Sequence, residues 1–75
     1  MSIRHPKLTG RELMKIFGEF GFDVIRTKGS HHFLKHSDGR ATVVPVHRGE
    51  MIGPGLLNKI CKDVEIEISE IKKHL

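Results

Sequence analysis

The chain has 75 residues, a formal net charge of +4 at pH 7 and 37% hydrophobic residues, which is the make-up of one small domain with a small core. Its single cysteine, Cys61, excludes an intramolecular disulfide framework and a zinc site built on paired CxxC motifs. No stretch approaches the roughly 20 apolar residues that cross a bilayer, and the N-terminus lacks the apolar core of a signal peptide, so we expect a cytoplasmic protein without a membrane segment.

The first element is an amphipathic helix, which the sequence predicts over residues 9–20. Thr9 can cap its start, and Glu12, three residues later, completes the capping-box pattern. Apolar residues then recur at helical spacing, at Leu13, Ile16, Phe17 and Phe20. Gly21 follows, and glycine suits the left-handed conformation that ends many helices.

Three short strands follow, and the turns between them predict one antiparallel sheet. β-branched and aromatic residues favour strands at 22–28, 31–36 and 41–46, with Gly29-Ser30 breaking the chain between the first two. The Asp38-Gly39 pair within residues 37–40 is a strong hairpin signal. Pro45 has no backbone N–H, so the third strand should lie at an edge of the sheet or end there.

The last third of the chain predicts helices after a loop at 47–52. Pro54 is well placed at the first position of a helix whose apolar face holds Leu56, Leu57, Ile60 and Cys61. Residues 68–75 fit a short C-terminal helix, although Ile66 and Ile68 alternate as a strand would.

The order of these elements predicts an α+β fold in a single domain spanning residues 1–75. A helix, a three-stranded antiparallel sheet, a second helix and a short C-terminal helix follow one another. Helices that cover one face of such a sheet leave the other face free to carry a site.

Positive charge and histidines concentrate in the first two-thirds of the chain. Residues 1–48 carry nine Lys and Arg against four Asp and Glu, whereas residues 49–75 carry four against five. The middle of the chain also holds four of the six histidines, at His31, His32, His36 and His47. This distribution favours a surface that binds a polyanion, and the alternative is an ordinary solvated surface.

The histidine cluster is a poor metal site but suits acid–base chemistry. His31 and His32 are adjacent in a strand and point to opposite faces, while His32 and His36 lie about 13 Å apart along one face. Histidine changes protonation near neutral pH, which fits the cleavage of RNA, whose 2′-hydroxyl is an internal nucleophile. Lys28 could then stabilise negative charge on the phosphate, and the flexible Gly29-Ser30 segment lets a backbone N–H approach it closely.

Two other interpretations of this region stay open. The histidines can have a structural role at half-exposed strand positions. RNA binding without catalysis would use basic side chains as phosphate contacts, at Arg26, Lys28, Lys35, Arg40 and Arg48. Phe33 is expected in the core, with base stacking as the alternative, and Cys61 is expected to be a small core residue rather than a nucleophile.

Six short segments follow one another along the chain: KLTGREL at 7–13, GF at 21–22, RTKGSHH at 26–32, HSDGR at 36–40, VPVH at 44–47 and GPG at 53–55. This ordered series of motifs resembles the HicA (YcfA-like) toxin family over about residues 7–75. The resemblance implies a fold like the double-stranded-RNA-binding domain. It also implies an mRNA interferase, which is a toxin that cuts RNA and is held inactive by a HicB-type antitoxin.

The same resemblance assigns roles to individual residues. The histidine that follows Gly-Ser is the catalytic one in the family, which implies His31 here, with His32 as second choice. It implies that no metal or other cofactor is needed. In the mechanism that this suggests, the RNA-binding residues are Lys28, Gly29, Ser30, Lys35 and Arg40, and the proton is transferred by His31.

One segment departs from the family pattern. Residues 63–68 differ from the Ala-Gly-Ile or Ala-Gly-Leu turn that usually joins the last two helices, which leaves open the geometry of residues 63–75 and the antitoxin surface there.

The main rival function is a non-catalytic RNA-binding module of the same fold. A small protein-interaction adaptor is a further rival, and it predicts no RNA affinity.

Overall fold

The computed structural model describes residues 5–75, which contain three helices and three strands. Residues 1–4, on which the expectation about the N-terminus and part of the 1–75 domain prediction fall, lie outside the described residues. The elements are α1 (Gly10–Glu19), β1 (Phe22–Lys28), β2 (His31–His36), β3 (Ala41–Pro45), α2 (Pro54–Val64) and α3 (Ile68–Lys72). The predicted order is therefore confirmed, and the fold is α+β and consistent with a double-stranded-RNA-binding-domain-like architecture. None of the described helices is long and apolar enough to cross a membrane.

Helix α1 begins at the capping box that the sequence predicts. The Glu12 backbone N–H donates to the Thr9 hydroxyl at 3.2 Å, and the Thr9 backbone N–H donates to the Glu12 carboxylate at 2.8 Å. These two bonds satisfy donors that a helix start otherwise leaves free. The helix gives way to β1 at Gly21, whose φ of +94° is a conformation that glycine adopts readily.

The sheet has the strand order β1-β2-β3, and both neighbouring pairs are antiparallel. β2 is therefore central, and Pro45 ends an edge strand, where its missing N–H costs no ladder bond. The ladder between β1 and β2 is irregular between Val24 and Arg26, so Ile25 forms a bulge on the edge strand.

The two faces of the sheet differ sharply in burial. One face packs under the helices with Phe22, Leu34, Thr42 and Val44 buried, and it continues into a core that includes Leu13, Phe17, Leu57, Ile60 and Ile71. The opposite surface, which we call the open face, carries Asp23, Arg26, Lys28, His31, Phe33, Lys35, Ala41, Val43 and Pro45. No helix covers the open face in the described part of the chain, so its side chains are available to a ligand.

Helices α2 and α3 are joined by a tight turn at the segment that departs from the family pattern. Pro54 occupies the first turn of α2, as predicted. Glu65, immediately after α2, has a φ of 56°, and the Ile66 N–H donates to the Cys61 carbonyl while the Glu65 N–H donates to that of Lys62. This is a Schellman ending, in which glycine is the usual residue at the left-handed position. The C-terminal helix is confirmed over Ile68–Lys72, and the strand alternative there is wrong.

Candidate functional site

The site is built on the two-residue turn that joins β1 to β2. Lys28 and His31 pair across the two strands, and Gly29 and Ser30 form the turn between them. Gly29 has a φ of 59°, which is the pattern of a type II′ turn with glycine at its first position. A Cβ atom added to Gly29 would meet no other atom within 4 Å, so the space beside this backbone is open. We call these four residues the turn site.

His31 is the exposed histidine of the turn site. It begins β2 on the open face, opposite Lys28 on one side and Pro45 on the other. Cross-strand neighbours have Cβ atoms about 4.5–5.5 Å apart, so the imidazole and the Lys28 ammonium can reach the same phosphate. This arrangement can hold an anion and offer it a proton donor or acceptor from the same side.

His32 lies on the covered face, as strand alternation predicts. Its ring is half-buried and pairs across the sheet with Thr27 and Val44. His32 Nδ1 donates to the Ser30 carbonyl at 3.1 Å, and the Val46 backbone N–H donates to the same oxygen at 2.8 Å. Since a carbonyl only accepts, this bond assigns the proton to Nδ1. This hydrogen bond stabilises the turn from the covered face of the sheet, on the opposite side from the His31 side chain.

His47 is the second histidine that the structure brings to the turn. Its Nε2 lies 3.5 Å from the Ser30 hydroxyl, which is a long contact, and the ring is exposed. The sequence placed His47 in the histidine cluster but not among the site residues. The register of the β2–β3 hairpin is the signal that brings it here, because pairing His31 with Pro45 carries Ser30 to Val46 and His47.

Arg26 and Phe33 extend the open face away from the turn. The Arg26 guanidinium carbon stands 5.2 Å from the centre of the half-buried Phe33 ring, within the range of a cation–π contact. The expectation that Phe33 belongs to the core is therefore wrong, because the ring lies on the opposite face from the core cluster. Lys35 lies on this face too, four residues from His31 and so about 13 Å along the strand, where it pairs with Asp23.

Arg40 is a predicted RNA-binding residue that the structure does not bring to the turn site. It follows the β2–β3 turn at the far end of β2 from His31, and it is half-buried. Its guanidinium donates to the Val64 carbonyl at 2.6 Å and to the Asp38 carboxylate at 2.8 Å, and it stacks on Phe22. The hydrogen bond from the Arg40 backbone N–H is the main cause that lowers the pKa of Asp38, and the guanidinium adds to it. These contacts tie the hairpin to the end of α2.

Two further candidate residues, His36 and Cys61, lie away from the turn site and pack against other side chains. His36 packs its ring edge-on against Phe22 with centroids 5.1 Å apart, at the far end of β2. Among residues 5–75, no three His, Cys, Asp or Glu side chains lie close enough together to hold a metal ion. Cys61 is buried in the core as expected, and burial raises the pKa of its thiol, which disfavours the thiolate that a nucleophile needs.

The sequence that builds this site also matches a known protein family. Residues 10–66 match the model of the family described as the HicA toxin of bacterial toxin–antitoxin systems. The chain belongs to the HicA toxin family. The matched segment contains α1, the whole sheet and α2, and with them the turn site. HicA membership makes this chain the toxin member of a toxin–antitoxin pair and confirms the family expectation from the motifs. No curated protein matches the chain.

Proposed function

We propose that this HicA toxin is an endoribonuclease, an mRNA interferase in which His31 transfers the proton at the scissile phosphodiester bond. The observation that carries the proposal is the position of His31: exposed on the open face, paired with Lys28 and next to the glycine turn. Family membership supports the same assignment, because the histidine lies in the KGSHH motif that resembles the family's catalytic segment.

The reaction follows from the chemistry of RNA. The 2′-oxygen attacks the neighbouring phosphorus, the new P–O2′ bond forms, and the P–O5′ bond breaks with its electrons leaving on the 5′-oxygen. His31 takes the proton from the 2′-hydroxyl or gives one to the departing 5′-oxygen, and water supplies or accepts the other proton, so that the 5′-oxygen leaves as a hydroxyl. The products are a 2′,3′-cyclic phosphate, which water can open to a 3′-phosphate, and a 5′-hydroxyl. The nucleophile belongs to the substrate, so the protein has to supply only proton transfer and charge stabilisation.

Lys28 and the turn supply the charge stabilisation in this proposal. The phosphate gains negative charge in the transition state, and an ammonium group that faces it lowers the energy of that state. Gly29 and Ser30 let the RNA backbone approach the chain without a steric barrier, since the space beside Gly29 is open. Lys35 lies further along the open face and would contact a more distant phosphate. Arg40 would need to leave its contacts with Val64 and Asp38 to join them.

The partners follow from the same surface. A HicB-type antitoxin would inactivate the toxin by placing acidic groups over the open face and covering His31. The RNA substrate would place the toxin in the cytoplasm, and the mechanism requires neither a metal ion nor another cofactor.

The test is the chemistry of the product ends. Purified protein is incubated in EDTA with a labelled RNA and with the same RNA carrying 2′-O-methyl groups throughout. The proposal predicts cleavage of the unmodified RNA only, with 2′,3′-cyclic phosphate or 3′-phosphate ends. Products with a 5′-phosphate and a 3′-hydroxyl would contradict it. Binding of both RNAs without cleavage of either would favour the RNA-binding module instead.

A further inference from the structure

An open cleft lies beside the turn site, between the start of α1 and the loop after β3. Its volume is ≈ 640 Å³, and its lining consists of Thr9, Arg11, Val46, His47, Arg48 and Gly49. Three of these six residues have a side chain that can donate hydrogen bonds to an anion through a guanidinium or an imidazole. The lining contains no acidic residue.

The two arginines of the cleft have no ion-pair partner among the described residues. Arg11 and Arg48 are exposed, and within residues 5–75 neither forms an ion pair at 4 Å or less. Glu12 is the nearest acid to Arg11 in the chain, but its carboxylate accepts the Thr9 N–H and lines a different cleft. Glu50, the nearest acid to Arg48, does not line the cleft either.

Two residues that line the cleft also contact Ser30 of the turn site. Val46 lines the cleft, and its N–H donates to the Ser30 carbonyl. His47 also lines the cleft, and its Nε2 contacts the Ser30 hydroxyl. A Cβ atom on Gly10 would overlap the Pro45 carbonyl oxygen, so the first turn of α1 is held directly against the strand end that pairs with His31.

We propose that this cleft binds a phosphodiester of the RNA strand next to the one that His31 cleaves. Guanidinium groups recognise phosphate through paired hydrogen bonds, and the cleft is lined by two of them, those of Arg11 and Arg48. His47 also lines the cleft and connects it to the Ser30 hydroxyl of the turn site. An RNA strand that lies across the turn would thus be bound by the cleft on one side of the scissile bond and by Lys35, further along the open face, on the other. This inference rests on the proposed ribonuclease function and adds the path of the substrate to it.

The proposal predicts how much of the salt dependence of RNA binding is lost when the cleft no longer contacts its phosphate. For single-stranded nucleic acid, each phosphate contact contributes about 0.7 to the slope of log K against log salt concentration. Because the cleft holds one phosphodiester, losing both arginine contacts to it should reduce that slope by about 0.7. Each charged hydrogen-bonding contact should also be worth roughly tenfold in Kd at low salt.

The experiment measures binding of a short 2′-O-methyl RNA by fluorescence anisotropy at several salt concentrations, so that cleavage plays no part. The variants are Arg11→Gln, Arg48→Gln and their combination. The control variants, Lys15→Gln and Lys62→Gln, remove an exposed charge outside the cleft. Circular dichroism verifies that each variant is folded. The proposal predicts weaker binding and a reduced slope for the arginine variants alone.

Three results would overturn the proposal in distinguishable ways. An unchanged slope in the double arginine variant, with tight binding by the wild type, would refute the cleft and leave the ribonuclease proposal standing. Equal losses in the arginine and lysine variants would show an effect of net charge rather than of a site. A wild-type protein that binds no RNA would refute both the cleft and the proposed function.

Discussion

Replacing His32 by alanine separates the two neighbouring histidines of the KGSHH motif. The change removes the hydrogen bond of 3.1 Å from Nδ1 to the Ser30 carbonyl and the half-buried ring itself. The Ser30 carbonyl keeps its second donor, the Val46 N–H at 2.8 Å, so no buried acceptor is left unpaired. We therefore expect His32→Ala to loosen the turn without abolishing the fold.

The size of the effect follows from these contacts. A hydrogen bond of this kind contributes about 0.5–1.5 kcal/mol net, and partial burial of the ring brings the total to about 1–2 kcal/mol. For a domain of this size, 1 kcal/mol lowers Tm by roughly 4–8 °C. Because His32 faces the helices, cleavage should fall by no more than about tenfold, whereas loss of a catalytic acid or base costs about 10²–10⁴.

The assay combines thermal unfolding with RNA cleavage well below the Tm of each variant. His32→Asn is the matched control, because its side-chain N–H can still donate to the Ser30 carbonyl and should recover part of the lost stability. A His32→Ala protein with an unchanged Tm and a loss of cleavage as large as that of a catalytic histidine would refute the positional assignment. His32, the second choice from the resemblance, would then be the proton-transfer group.

Two further predictions concern stability. Glu65→Gly should raise the free energy of unfolding by about 1 kcal/mol, because glycine lacks the Cβ strain of the left-handed conformation. Glu65→Ala is the control, since alanine keeps that strain. An equal gain in both variants, measured by chemical denaturation, would assign the effect to the loss of charge instead. Asp38 has its pKa lowered by the Arg40 N–H, so its stabilising contribution is present above the range of a free aspartate, about pH 4, and is lost as pH falls through the lowered value. The Tm of Asp38→Asn should therefore lie below that of the wild type near neutral pH and converge with it in acid, and a constant difference down to acidic pH would contradict this.

Much of the fold could be predicted because the local signals agree with one another. The Thr9 and Glu12 pattern, the Asp38-Gly39 turn and Pro54 each specify a local geometry that packing then keeps. Strand alternation alone separates His31 from His32, because their side chains must point to opposite faces.

The remaining features depend on contacts that no local pattern contains. Phe33 and Leu34 are both apolar neighbours in β2, so the sequence does not decide which one faces the core. The Ile25 bulge brings Arg26 opposite Phe33, a register that the alternation of β1 does not reveal. Arg40 reaches the end of α2 through a contact with Val64, 24 residues later in the chain. Its predicted role in RNA binding was drawn from charge, and charge carries no information about that contact.

Proton transfer by His31 is the step on which the proposed RNA cleavage rests. The most direct measurement is the cleavage rate of a labelled RNA in EDTA by the wild type and by His31→Ala, with both proteins shown to be folded. His31 is exposed, so its replacement should leave Tm nearly unchanged. We expect a rate at least about 10²-fold lower for the variant, with RNA affinity nearly intact. Equal rates for the two folded proteins would contradict it.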